Sequence, residues 1–327
     1  MRRWMSTGLI LFFVVFALAA TWPGDGAEAA WAPNRPIQLV CPWAAGGGTD
    51  RIARMVAVLL EKELGQPVTV VNRTGGSGAV GHTAGATAAP DGHSITIVTV
   101  ELAMMHWMGL TPLTYKEFTP VSLLNIDPAG VQVSMTSEWK TLKELLDYVK
   151  ANPGKAKASG TGKGGIWDLA RAGMLKTSGM SIDAMPWVPS TGAATGLQEL
   201  VAGGVQVVTA SLVEGRPLID AAKVRPLAHM ADARDPAFPN VPTLKELGIN
   251  WTMGAWRGIA LPRGTSPEIV AVYEKALDKV VKSKEFTDFM LAGPFGILYK
   301  PSAEFANFLA QQDETMGVLM KEAGLTK

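Results

Sequence analysis

The chain has 327 residues, 47% of them hydrophobic and 18% charged, and its 30 basic and 29 acidic side chains leave a net charge of +1. That balance gives no reason to expect nucleic acid or an anionic membrane surface as a partner. The length calls for one large or two medium globular domains, and a single cysteine, Cys41, excludes an intramolecular disulfide.

Residues 1–30 read as a signal peptide. Arg2 and Arg3 form a basic start, an uncharged apolar run covers 8–20, and Ala27-Glu28-Ala29 supplies an A-x-A cleavage site. The run is short against the roughly 20 residues of a bilayer span, so cleavage near Ala29 and export to the periplasm are expected. Cleavage removes two basic and two acidic residues and leaves the net charge at +1.

The apolar run 37–41 predicts a buried strand, with Cys41 as an inert thiol within it. Gly46 to Gly48 make a turn, and Thr49 or Asp50 is the expected N-cap of a helix over 51–64, which Gly65 stops. A strand over 68–71, a glycine turn over 72–78, a helix over 79–89 and a strand over 94–100 follow. The order β-α-β-α-β implies parallel strands with right-handed crossovers. An irregular stretch over 101–129, punctuated by Pro112, Pro120 and Pro128, comes next.

A second series then repeats the parts. Strands are expected over 130–135, 155–159, 184–188, 205–211 and 224–230, with helices over 141–151, 166–177, 193–202 and 216–222. Thr141 and Glu144 form a capping box, and a second glycine loop spans 160–165. A linker over 236–242 leads to a short helix ending near Gly248, a strand over 256–261, and helices over 267–281, 284–291 and 302–323. Two lobes of this kind would face their glycine loops towards each other across a cleft.

Ala44-Ala45-Gly46-Gly47-Gly48-Thr49-Asp50 has neither the Lys-Ser/Thr of a P-loop nor the final glycine of a dinucleotide fingerprint. A tight turn and an amide nest for a carboxylate fit it equally. In the second loop Lys157 and Gly164 stand where a P-loop needs glycine and a hydroxyl, which leaves Lys163 as a solvated charge or a ligand-facing cation. Gly75-Gly76-Ser77-Gly78-Ala79 misses the nucleophile elbow at its last position. His82, His93, His106 and His229 lack metal-ligand spacing and are expected on the surface or on helix faces. No cofactor or metal is expected, and nothing argues for an enzyme. Glu101 ends the third strand, where parallel sheets present residues to a crevice. It is either an acid at the start of a short helix or a cleft residue that selects a hydroxyl, amine or cation. Trp43, Trp167, Trp187 and Trp256 are core residues or aromatic walls.

Arg35-Pro36-Ile37 followed by Pro42-Trp43-Ala44-Ala45-Gly46-Gly47-Gly48-Thr49-Asp50 resembles the N-terminal signature of the tripartite tricarboxylate transporter substrate-binding proteins, the TctC or Bug receptors. Leu64-Gly65-Gln66-Pro67-Val68, Val71-Asn72-Arg73, Pro90-Asp91-Gly92, Asp235 to Thr243 and Gly258 to Thr265 continue it, as does the helix start at Ser302 to Phe305, over essentially the whole mature chain. The resemblance implies an α/β fold of the type II periplasmic binding protein kind, two lobes with mostly parallel sheets around a ligand cleft. Residues 31–131 with 255–327 would form lobe 1, and 132–254 lobe 2. It also implies a receptor, expected to be monomeric, that captures a small carboxylate and delivers it to the permease subunits of a tripartite tricarboxylate transporter.

The family's binding loops carry over onto Trp43, Ala44, Ala45, Gly47, Thr49 and Asp50, with Asp50 expected to order the loop more than to touch an anion. The facing lobe would contribute Ser159, Gly160, Thr161 and Gly162, and Ser190, Thr191 and Gly192. Thr74-Gly75 after Asn72-Arg73, the glycines Gly164 and Gly165, and Glu101 itself depart from the family pattern. They remove hydroxyl donors and add an acid, which disfavours a citrate-like ligand and favours a compact monocarboxylate with an amine, hydroxyl or aromatic part. The alternatives are the ligand-binding component of a sensory system and, less consistent with the residues, an exported hydrolase or lyase. The whole reading needs room for a guest between the lobes.

Overall fold

The apolar runs near the start of the chain form a parallel sheet. β1 (Ile37–Cys41) lies between β2 (Val68–Asn72) and β3 (Ser94–Thr99), parallel to both. α1 (Gly48–Leu64) buries Ile52, Val56, Leu59 and Leu60 at helical spacing against this sheet. It ends at Gly65, whose φ of 67° is the left-handed turn that closes a helix without a Cβ penalty. α2 (Ala79–Ala86) stops three residues short of its expected end. The structure, a computed structural model, describes residue 1 and residues 31–326. The expected signal peptide, apart from Met1, lies outside the described residues.

The longest strand, β4 (Phe118–Ser134), joins the expected strand over 130–135 to the later part of the stretch expected to be irregular. Its prolines sit where a missing N–H is tolerated. Pro120 adjoins a register irregularity, and Pro128 is the last residue paired with β8 (Gly254–Pro262). Up to that point β4 pairs antiparallel with β8 and β9 (Ile297–Pro301); from Ala129 onward it pairs antiparallel with β6 (Val207–Ser211) and β7 (Val224–His229). β8 also runs antiparallel to β3, while the two-residue β5 (Ala158–Ser159) is parallel to β6. The chain thus has two α/β lobes, but the sheets are mixed rather than mostly parallel. The reason is topological: β4 leaves the first lobe and β8 returns to it, so each runs against the strands beside it.

In the second lobe α3 (Leu142–Ala151) carries the expected Thr141–Glu144 capping box. α4 (Ile166–Thr177) and α5 (Ala193–Ala202) match their expected spans. α6 (Leu212–Asp220) starts earlier than expected because the Ser211 hydroxyl caps it by accepting from Glu214 N–H. Residues 184–188 make one isolated bridge, Trp187 to Ala158, instead of a strand, and the segment before Gly248 is turns, not a helix. α7 (Pro267–Lys282) and α8 (Lys284–Ala292) pack Tyr273, Leu277 and Phe286 into the first-lobe core with Leu39, Ile52 and Leu60. The second core gathers Leu145, Leu169, Leu197 and Val207, and extends to Trp256 and to Phe305 of α9 (Ser302–Ala323).

Candidate functional site

Both glycine loops deliver a helix N-terminus to the plane where the lobes meet, and the two ends are built alike. α1 begins at Gly48, earlier than expected; its N-cap is Gly47, with no side-chain cap, so Thr49 and Asp50 lie inside the first turn. Asp50, the third helical residue, folds back: its Oδ2 accepts from Gly46 N–H (2.9 Å) and from Arg54 Nε (2.9 Å), and its Oδ1 from Asn72 Nδ2 (2.9 Å). α4 begins at Ile166 after N-cap Gly165, and its third residue is Asp168. Asp168 Oδ2 accepts from Gly164 N–H (2.9 Å), and Oδ1 from Arg171 Nε (3.0 Å) and Nη2 (2.6 Å). The φ values of Gly46 (83°) and Gly164 (71°) turn each loop so that this amide reaches the aspartate. Burial pushes the Asp50 carboxyl up, but Arg54, the Gly46 amide and Asn72 outweigh it and hold the carboxyl below its ordinary range.

At both N-termini the first helical N–H meets a carboxylate from the opposite lobe. Gly48 N–H donates to Glu214 Oε1 (3.1 Å), and Ile166 N–H donates to Glu101 Oε1 (3.1 Å). The second oxygens accept from Ser211 Oγ (3.2 Å) and Thr99 Oγ1 (2.6 Å) respectively. Burial raises both carboxyls. The Thr99 and Ile166 hydrogen bonds oppose the rise at Glu101, and the charge of Arg257 opposes it at Glu214. Arg257 itself is 2% exposed. Its Nε donates to Thr49 Oγ1 (2.8 Å), its Nη1 to Asn125 Oδ1 (2.6 Å) and Asp127 Oδ2 (2.5 Å), and its Nη2 lies 3.6 Å from Glu214 Oε1.

Between the two ends lies a cavity of about 20 Å³. Trp43, Ala44, Gly47, Thr49, Glu101, Thr161 and Gly192 line it from the expected set, together with Thr99, Trp167, Glu214 and Arg257. Thr161 Oγ1 is buried with no hydrogen-bond partner among the described residues. The other expected residues shape the loops instead of the wall. Ala45 is exposed, and the Asp50 carboxylate is consumed as described. Ser159 Oγ donates to Val188 O (2.7 Å) and Ser190 Oγ to Gly160 O (3.0 Å), while Thr191 O accepts from Ala44 N–H (3.3 Å). Gly162 presses on Ser77, where an added Cβ would stand 2.3 Å from the hydroxyl oxygen. Ser77 Oγ in turn donates to Lys163 O (2.7 Å). The Ala44–Thr191, Gly162–Ser77 and Ser77–Lys163 contacts close the lobes on each other. A cavity of 20 Å³ holds about one water molecule, so the room expected for a guest is not present in this arrangement.

Several side chains lie elsewhere. The Lys163 side chain is exposed, and neither it nor Trp187 or Trp256 lines the cavity; Trp187 donates to Thr161 O and Trp256 to Gln312 Oε1. Cys41 is a buried thiol pushed up to about 12 by desolvation. His82 lies on α2, one of the two positions expected for it, but its side chain is fully buried beneath the site instead of on the surface. Its Nδ1–H donates to Gly78 O (2.8 Å) and its Nε2 accepts from Thr99 N–H (3.1 Å), and burial lowers its pKa to about 4. His229 is buried too. Among the described residues no group of three or more His, Cys, Asp or Glu could hold a metal ion.

Sequence reading missed Glu214, Arg257, Asp168 and Arg171. The first two belong to no motif. Asp168 had a signal in the sequence: it stands three residues after the glycine that ends its loop's turn, as Asp50 does after Gly47.

Two α/β lobes with opposed strand–loop–helix ends define a solute-binding protein of the periplasmic type, a receptor and not an enzyme. The chain belongs to the tripartite tricarboxylate transporter family receptors (TctC), whose model matches residues 52–325, beginning just after the first glycine loop. It is 31% identical over 308 residues to a Cupriavidus necator protein described as "UPF0065 protein in gbd 5'region", covering 92% of this chain and 91% of that one. The structure of the periplasmic binding protein BugD is similar with a TM-score of 0.85 and 27% identity, covering 90% of this chain and 99% of that one. MatC from Rhodopseudomonas palustris with bound malate is similar with a TM-score of 0.81 and 28% identity, covering 88% and 99%.

Proposed function

We propose that this protein is an exported, monomeric receptor that closes around a small carboxylate and hands it to the permease subunits of a tripartite tricarboxylate-type transporter. The observation that carries the reading is the pair of opposed helix N-termini, α1 and α4, each presenting its first N–H at the lobe interface. Such ends bind anions through backbone amides and the helix dipole, without a side-chain cation. Family membership and the malate held by MatC support a carboxylate as the guest. The residues proposed to meet it are those at the cavity: Trp43, Ala44, Gly47, Thr49, Glu101, Thr161 and Gly192.

Admission of a guest requires the lobes to part. The division into 31–131 with 255–327 and 132–254 is supported by where β4 changes partners, at Pro128–Ala129, and by the start of β8 at Gly254. Ligand then favours closure by its greater affinity for the closed form. The test is to extract and identify the small molecule that co-purifies with the mature protein, then titrate it back. Stoichiometric recovery of an unchanged carboxylate supports the reading; a neutral compound, or conversion of the compound, removes it. Loss of uptake of that compound on deleting the cognate permease tests the transport step.

A further inference from the structure

A carboxylate entering this cleft would seek the first-turn amides of α1 or α4, and the protein's own acids already sit on both. Glu214 Oε1 is 3.1 Å from Gly48 N and 3.6 Å from Arg257 Nη2, a backbone donor and a guanidinium converging as they would on a bound carboxylate. Glu101 occupies the equivalent place on Ile166 N–H. With Asp127 on Arg257, three acids share this region with two cations, Arg257 and the half-buried Arg51, whose charge also acts on Glu214 and Asp127. A ligand with two carboxylates would bring two more negative charges against Glu101 and Glu214 in a water-poor cavity, where like charges disfavour each other's ionised forms strongly. A ligand with one carboxylate and one ammonium adds no net charge. Its anionic end can take the amide and guanidinium beside α1, and its cationic end an acid. Thr161 Oγ1, buried and unpartnered among the described residues, offers one more polar contact on the same wall.

We propose that Glu101 and Glu214 make this cleft selective for a zwitterion, one carboxylate with one ammonium as in an amino acid, and set it against dicarboxylates such as the malate held by MatC. The proposal rests on the carboxylate-receptor reading above and narrows it.

The test is calorimetric titration of the mature protein with length-matched series: dicarboxylates from malonate to adipate, the corresponding ω-amino acids, and the standard α-amino acids. The same series is run on Glu101→Gln, Glu214→Gln and the double variant, with circular dichroism to show that each is folded. The expected result is at least one zwitterion bound about tenfold or more tightly than its matched dicarboxylate, with that ratio falling about tenfold in the double variant. A dicarboxylate preferred by the native protein, or a ratio unmoved in the folded variants, overturns the inference and leaves the carboxylate reading standing. No binding of any carboxylate removes both. If the variants do not fold, the native ratio alone decides.

Discussion

The two glycine loops share one design and differ in what braces it. Each has a glycine N-cap, an aspartate at the third helical position that accepts from a loop amide, and an arginine one turn further on. Around α1 the brace is open to water, since the Arg54 side chain is 52% exposed over a buried Asp50. Around α4 both partners are buried, with side chains 4% and 1% exposed for Arg171 and Asp168. The same hydrogen-bond pattern therefore stands in two dielectric settings, and the cost of breaking it should differ accordingly.

The largest expected effect follows directly. Arg171→Met leaves Asp168 buried without its cation and should destabilise the protein by about 3–5 kcal/mol. Arg54→Met should cost under about 1 kcal/mol, because its guanidinium is screened by solvent. Urea denaturation of the two variants compares them, and equal losses would mean that burial does not separate the loops.

A second contrast concerns pH. His82 braces only the first lobe, through Thr99 N–H, and its pKa falls from an ordinary 6.5 to about 4 on burial. A depressed folded value means stability that is complete above pH 6.5 and lost as the pH falls towards 4, roughly 3 kcal/mol over that window. Glu101 and Glu214 have raised values, so their contribution has the opposite sign, present at low pH and lost as the pH rises through their folded values. The difference between the native protein and His82→Gln isolates the histidine; parallel pH–stability curves would refute its part.

Gly162→Ala probes the second loop alone. A methyl group 2.3 Å from Ser77 Oγ and 2.8 Å from its Cα cannot be accommodated while the lobes are shut. Overpacking of this kind costs about 1–3 kcal/mol, so ligand affinity should fall about tenfold or more, with a larger radius of gyration by X-ray scattering at saturating ligand. An unchanged affinity would show that closure does not use this contact. The smallest effect is expected from Lys163→Ala, within about 0.5 kcal/mol in binding and stability, because its side chain is exposed and away from the cavity.

Local signals in the sequence placed most of the elements. The Thr141–Glu144 capping box, the stop at Gly65 and the start of α4 after Gly165 all depend on residues within a few positions of one another. The part of β4 before Gly130 was hidden because Pro120 and Pro128 read as breakers, and only a partner strand more than a hundred residues later makes their positions tolerable. The site was half legible for the same reason. The loops announced themselves through composition, whereas Glu214 meets Gly48 across 166 positions and Arg257 meets Asp127 across 130. No periodicity or motif encodes such meetings. Glu101 was singled out because it ends a strand; it lies in a short helical turn over Val100–Ala103 and lines the cavity.

The single unbroken ribbon of β4 also limits how this molecule can be divided. Severing the chain near residue 131 would strip each sheet of a member that belongs to both, leaving long unpaired backbone margins prone to sticking to other chains. Neither half should survive as a separate fragment, so the polypeptide must complete its assembly as one cooperative unit.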